Sequence, residues 1–388
     1  MVAVMHGYIK RLSEEKLENA LRRSPAVAIL GPRQCGKSTL ARTFLRERDI
    51  PHVFLDLQSR VDRSKLDEPE LFFEANRDKL ICLDEIQAVP ALFQFLRVEI
   101  DRDRRPGRIL ILGSASRDLL RQSNETLAGR IAFLDLTPFL LQEVSSLVTW
   151  DRLWVRGGFP DSLLAASEED STAWRTDFIR TFLDRDIPQF GFAIPVPLME
   201  RLWVLLAHYH GQTLNFSKAA AAADISIPTF RKYLAVLEQT YMVRLLLPAE
   251  TNLKKRMIQA PKIYLRDSGI LHSLLDIGTY DALLAHPSNG ASWEGFAIEN
   301  LIVANPEWRP SFIRTGNDAE VDLLLEQGTR RVLIECKLSK APKVSRGFHQ
   351  LAADLSPDQA WLVAPVDESY PVQGGIRVAN VGQVVLSK

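Results

Sequence analysis

Short apolar runs alternate with helically spaced segments through the first third of the chain. Ala26–Gly31 is continuously apolar up to its closing glycine, which predicts a strand buried on both faces. Lys37–Glu47 predicts a helix. Val53–Leu57, Leu80–Asp84, Arg108–Gly113 and Ile131–Leu136 predict further strands, with helical stretches between them. Strands separated by helices predict an α/β fold, a parallel sheet covered on both faces.

The pattern then turns helical from about Trp150 to Phe190, broken near its start by Gly157-Gly158-Phe159-Pro160. More helices are predicted from Leu198 to about Leu247. Among them Asn215–Ala223 and Pro228–Glu238 form a helix-turn-helix-like pair, with Pro228 suited to a first helical turn and Leu234 and Leu237 on its apolar face. From about Ser292 the pattern predicts a helix (Trp293–Val303), two strands (Val321–Glu326 and Arg331–Lys337), a helix (Phe348–Asp354) and a strand (Ala360–Val363).

A length of 388 residues exceeds one ordinary core and predicts two or three domains. With 46% apolar and 25% charged residues, no run long enough for a bilayer and no signal-peptide pattern, the chain reads as cytoplasmic, without membrane attachment. Basic and acidic residues balance at 48 each, so any contact with nucleic acid must come from a local patch. Cys35, Cys82 and Cys336 show neither metal-ligand spacing nor a disulfide framework.

Gly31-Pro-Arg-Gln-Cys-Gly36-Lys37-Ser38 fits G-x-x-x-x-G-K-S/T and lies where the motif requires, after a predicted strand and opening a predicted helix. Its glycines let backbone N–H groups turn toward phosphates, and the helix N-terminus adds its dipole. Lys37 is expected to reach the β- and γ-phosphates of ATP, and Ser38 to hold Mg²⁺, with Thr39 as a second hydroxyl. Leu80–Glu85 is an apolar strand that ends in two acids. Asp84 is expected to support Mg²⁺, and Glu85 to polarise the attacking water. Ser114 and Ser116 follow the strand that ends at Gly113. A hydroxyl there would either orient water near the γ-phosphate or cap a helix.

Gly31–Thr39, Leu83-Asp84-Glu85-Ile86-Gln87, Leu112-Gly113-Ser114, Leu127-Ala-Gly-Arg130 and Arg156-Gly-Gly-Phe-Pro160 together resemble AAA-type P-loop ATPases that carry a C-terminal domain of unknown function. The resemblance covers nearly the whole chain. It implies an ATPase domain over residues 1–148, a helical lid over 149–195, a winged-helix-like segment over 196–260 and a restriction-endonuclease-like α/β domain over 261–388. It makes Arg130 a candidate arginine finger or sensor; read locally, Arg130 is equally a surface ion pair. Gly158 and Pro160 are similar to an element by which related ATPases hold nucleotide from the lid; read locally, they form a turn.

Arg231 and Lys232 lie near the start of the second helix of the helix-turn-helix pair. A basic run over Asn252–Lys262 holds Lys254, Lys255, Arg256 and Lys262. The two features together make Arg231, Lys254, Lys255 and Arg256 candidates for DNA contact, against the alternatives of a rigid adaptor and a solvated charged face.

If Gly328-Thr329 is a two-residue turn, Asp322 faces Glu335 across a hairpin and Glu320 faces Lys337. Alternation then gives one face of Val321, Leu323, Leu325, Val332, Ile334 and Cys336, and places Asp322, Glu335 and Lys337 on the other. Facing carboxylates would suit Mg²⁺, and Lys337 could assist an attacking water; the bland alternative is a charged solvent face. The pattern is similar to the D…E-x-K signature of restriction-endonuclease-like nucleases. That similarity adds Glu299, on the preceding helix, as a further metal-ligating acid.

The leading expectation is an ATP-hydrolysing, DNA-associated homo-oligomer that acts on branched or damaged DNA. The rivals are a nucleotide-dependent signalling or assembly switch and an ATP-gated, metal-dependent nuclease.

Overall fold

The computed structural model describes residues 7–114, 127, 129–189, 192–250, 258–317 and 319–386. The chain divides into two compact units, Met1–Phe139 with Gln239–Tyr241, and Leu140–Glu238 with Met242–Lys388. No helix among the described residues is long and apolar enough to cross a membrane.

The first unit is built on five parallel strands: β1 (Ala26–Leu30), β2 (His52–Asp56), β3 (Leu80–Asp84), β4 (Ile109–Gly113) and β5 (Ile131–Asp135). Their spatial order is β2-β3-β4-β1-β5. Every residue of β1, β3 and β4 is buried, which is why these segments read as unbroken apolar runs rather than alternating ones. The helix Lys37–Glu47 buries Leu40, Ala41, Phe44 and Leu45, and Leu92–Arg102 buries Leu92, Phe93, Leu96 and Ile100. Both sets have the spacing of a single helical face. Because β3, β4 and β1 are neighbours, the loops that leave their carboxyl ends emerge side by side.

The second unit contains the expected helix-turn-helix. Its first helix, Phe216–Ala222, is capped by the Asn215 side chain, which accepts the Lys218 N–H at 3.0 Å. Its second, Ile227–Gln239, buries Phe230, Tyr233, Leu234 and Leu237. An antiparallel pair, β6 (Val243–Leu246) and β7 (Lys262–Leu265), follows as a wing.

The C-terminal part is a mixed six-stranded sheet. Its strands are β8 (Arg309–Arg314), β9 (Glu320–Gln327), β10 (Arg330–Cys336), β11 (Gln359–Val363), β12 (Tyr370–Pro371) and β13 (Ile376–Ala379), in the order β12-β13-β11-β10-β9-β8. The β9–β10 hairpin turns at Gly328-Thr329, and its register (Gln327↔Arg330 through Leu323↔Ile334) is the one that alternation predicts. The simple division into an apolar and a charged face is corrected. Leu324 and Leu333 are also buried, against Phe348 and Leu351 of the helix Arg346–Leu355, so both faces are covered. Val321 joins that same cluster, because the β8–β9 pairing steps by one residue between Ser311 and Ile313.

Glu299 lies on the helix Asn289–Ala304 and binds two guanidinium groups. Arg244 of β6 reaches it at 2.7 and 3.1 Å, and Arg266, just after β7, at 2.7 Å. Burial alone would raise the pKa of this carboxyl, but the two arginines hold it down to about 2, against an ordinary 4.5. A depressed folded-state pKa stabilises the protein above the unfolded value, and that contribution is lost as pH falls through the folded value. We predict that Glu299→Gln costs about 3 kcal/mol at pH 7, because it strands two cations. In urea unfolding the gap between parent and variant should close steadily below pH 4.5 and vanish near pH 2.

Candidate functional site

Two glycines shape the nucleotide loop. A Cβ on Gly31 would lie 1.9 Å from the Leu136 carbonyl oxygen, so only glycine fits where β1 passes into the loop. Gly36 takes a φ of 99° and starts the helix Lys37–Glu47 from the left-handed region. The N–H groups of that helix's first turn have no partner within the helix and can face phosphate oxygens. Lys37 is only 5% exposed, and its Nζ donates to the carbonyls of Gly31 (3.0 Å) and Pro32 (2.7 Å). A further brace is visible only in the fold. Arg11, just ahead of the helix Ser13–Arg23, donates to the Cys35 carbonyl at 3.0 Å and the Thr137 carbonyl at 2.7 Å, tying the loop to the segment after β5. Cys35 is buried within the loop.

The acids stand at the end of β3. Asp84 is buried, accepts the Glu85 N–H at 3.0 Å and is hydrogen-bonded by Ser38. Burial pushes its carboxyl above the ordinary range, and the Ser38 bond and Lys37 charge only partly offset this. Glu85 adopts a left-handed conformation (φ 55°, ψ 48°), unusual for a residue with a side chain. Ser114, 1% exposed at the end of β4, donates to the two Glu85 carboxylate oxygens at 3.0 and 3.1 Å. Gln87 binds the same carboxylate, a contact that sequence reasoning did not anticipate. The structure thus brings Lys37, Ser38, Asp84, Glu85 and Ser114 to one end of the sheet. Thr39 is exposed on the same helix, and Ser116 lies outside the described residues. A hydroxyl and a buried carboxylate beside an ammonium form a donor set that fits Mg²⁺ with a phosphate chain.

Arg130 pairs with Asp101, Nε to Oδ1 and Nη2 to Oδ2 both at 2.8 Å, in a solvent-screened setting. Gly158 and Pro160 belong to the second unit. The Gly158 N–H donates to Asp267 Oδ2 at 2.8 Å, and Pro160 opens the short helix Pro160–Leu163. Asp267 also caps the helix Ser268–Leu274, so within its unit this turn is a packing joint.

Arg231 is exposed on the second helix of the helix-turn-helix, its guanidinium 4.3 Å from the centroid of the Phe216 ring. Lys254, Lys255 and Arg256 lie outside the described residues. Lys262, the end of that basic run, is corrected: it is buried in β7, at 2% exposure, and cannot meet phosphates.

In the C-terminal sheet, Glu335 binds Lys337 at 3.1 Å and accepts the Ser345 N–H at 3.0 Å. Asp322 accepts the Cys336 N–H at 2.8 Å and faces Lys262 Nζ at 3.6 Å. The helix acid that joins this cluster is Glu294 rather than Glu299. Glu294 pairs with Lys262 at 2.9 Å and accepts the Tyr264 hydroxyl at 2.5 Å. Five residues separate Glu294 from Glu299, which turns them roughly 140° apart on the helix, and Glu299 is already claimed by its two arginines. Among the described residues, no group of three or more His, Cys, Asp or Glu side chains is placed to hold a metal ion.

Three family models match in succession: an AAA domain over residues 23–145, and two domains of unknown function, DUF8612 over 148–281 and DUF4143 over 289–384. The uncharacterized proteins Mb2031c of Mycobacterium bovis and Rv2008c of Mycobacterium tuberculosis are each 40% identical over 379 residues, 97% of this chain and 84% of theirs. Among solved structures, the Walker-type ATPase PABY2304 of Pyrococcus abyssi is similar at 17% identity and a TM-score of 0.49, covering 69% of this chain and 96% of that one. The chain belongs to the family of AAA-type P-loop ATPases that carry this C-terminal domain of unknown function.

Proposed function

We propose that the chain binds ATP at the loop Gly31–Ser38, hydrolyses it, and couples turnover to DNA contact. The observation that carries the proposal is the convergence of Lys37, Ser38, Asp84, Glu85 and Ser114 at the carboxyl ends of β1, β3 and β4. Phosphate oxygens would take the first-turn N–H groups and draw the Lys37 ammonium from the Gly31 and Pro32 carbonyls. Mg²⁺, held by the Ser38 and Asp84 oxygens, would neutralise charge on the phosphates. Glu85 would accept a proton from the attacking water. Ser114 and Gln87 fix the carboxylate's position and also occupy its lone pairs, so this grip must loosen for the water to bind.

The side chain proposed to act in trans is Arg130. Its pair with Asp101 is screened by water, so exchange to a neighbour's γ-phosphate would give up little of that pairing. DNA contact rests on Arg231 and Lys232, both exposed on the second helix of the helix-turn-helix, with Lys254, Lys255 and Arg256 proposed alongside. A chain with balanced charge has little long-range attraction for DNA, so this contact should be local and salt-sensitive.

Lys37→Ala should abolish ATP turnover in a phosphate-release assay. Glu85→Gln should bind ATP as the parent does yet hydrolyse it about 100-fold more slowly; hydrolysis at the parent rate would remove Glu85 from the role of base. The ATPase rate per subunit should rise with protein concentration, and Arg130→Ala should flatten that rise while leaving nucleotide affinity intact. A concentration-independent rate in a monomeric protein would exclude action in trans. Duplex or four-way DNA should stimulate turnover, and Arg231→Ala with Lys232→Ala should reduce the slope of log K against log salt by about 2. Turnover indifferent to every DNA tested would leave the assembly-switch reading in its place.

A further inference from the structure

The acids expected to gather a metal in the C-terminal sheet already face a cation supplied by the chain. Lys262 Nζ lies 2.6 Å from Glu320, 2.9 Å from Glu294 and 3.6 Å from Asp322. Three segments that are distant in sequence meet on this one ammonium: β7, the helix Asn289–Ala304 and β9. Asp322 accepts the Cys336 N–H, Glu294 accepts the Tyr264 hydroxyl, and Arg314 stands 4.0 Å from Glu320. Burial alone would drive the Lys262 ammonium toward its neutral form, but Glu294, Asp322 and Glu320 reverse this and raise its pKa.

We propose that Lys262 is the resident cation of this cluster, that it bars a divalent metal from Asp322 and Glu294, and that the domain therefore does not act as a metal-dependent nuclease through these acids. A divalent ion entering here would meet a like charge in a buried space. It could bind only if the ammonium left its carboxylates, and Lys262 is fixed in β7, which pairs with β6 over its whole length. The lysine does structurally what a metal would do, holding three carboxylates together, but it offers no open coordination position for a water or a phosphate. Its second effect is mechanical: it pins the wing strand of the helix-turn-helix to the sheet. Lys337 does not substitute for it, because Lys337 pairs with Glu335.

Mn²⁺ binding to the full-length, nucleotide-free chain tests this by electron paramagnetic resonance. Parent and Asp322→Asn should bind the same amount of Mn²⁺. Lys262→Met should gain one additional ion per chain over the parent, and Lys262→Met with Asp322→Asn should lose it again. A parent site that disappears in Asp322→Asn would overturn the proposal, as would Mn²⁺-dependent DNA cleavage that Asp322→Asn removes. A folded Lys262→Met that gains no ion would overturn it too, since the lysine would then not be what excludes the metal. If Lys262→Met does not fold, the comparison of parent with Asp322→Asn still decides between the outcomes.

Discussion

Burial of β1, β3 and β4 along their whole length is the constraint on which the nucleotide site depends. Strands covered on both faces have nowhere to carry polar side chains except beyond their ends. The chain places its glycine loop, its two acids and its serine hydroxyl at or just past the carboxyl ends of these adjacent strands. Parallel register makes the arrangement inevitable once the strand order is set, because Leu30 pairs with Gly113, and Ile81 and Leu83 pair with Ile109 and Ile111. The chemistry is thus held by rigid elements, and only the loop residues need unusual backbone.

The second unit follows a different rule: its buried charges are compensated by partners from other segments of the chain. Glu299 takes Arg244 and Arg266, and Lys262 takes Glu294, Glu320 and Asp322. Such clusters cost desolvation on both sides, so they add less to stability than their contacts suggest. They do dictate which segments meet, because any other pairing would strand a charge in an apolar interior. The wing strands β6 and β7 are held to the helix Asn289–Ala304 in this way at two points, Arg244–Glu299 and Lys262–Glu294.

The nucleotide site was legible because its requirements are local. The P-loop needs glycines at fixed spacing, and Leu80–Glu85 declares itself by an apolar run ending in two acids. The β9–β10 register was legible for the same reason, since a two-residue turn sets it. What stayed hidden depends on neighbours that sequence does not display. Arg309–Arg314 carries Pro310, yet it forms β8, an edge strand, where a missing N–H is tolerated. Arg11 gives no pattern that announces its reach to Cys35 and Thr137. Lys262 ended a basic run and looked like surface, but Ile263, Tyr264 and Leu265 carry it into a buried strand. Glu294 and Glu299 share one helix, and only the tertiary positions of Arg244 and Lys262 tell which acid faces which cation.

Glu85 shows how strain and hydrogen bonding can hold a carboxylate in place. Its left-handed backbone costs free energy, on the order of 1–3 kcal/mol, that the surrounding fold must supply. The conformation turns the peptide after Asp84 sharply, so that the Glu85 carboxylate meets Ser114 on the neighbouring strand while Asp84 stays with Ser38. Two consecutive acids are thereby directed to different partners. An extended backbone at Glu85 would instead send successive side chains to opposite faces of the sheet, and one acid would be driven into the apolar layer. The strained residue therefore lets both carboxylates stand at one site, and Ser114 holds the second there.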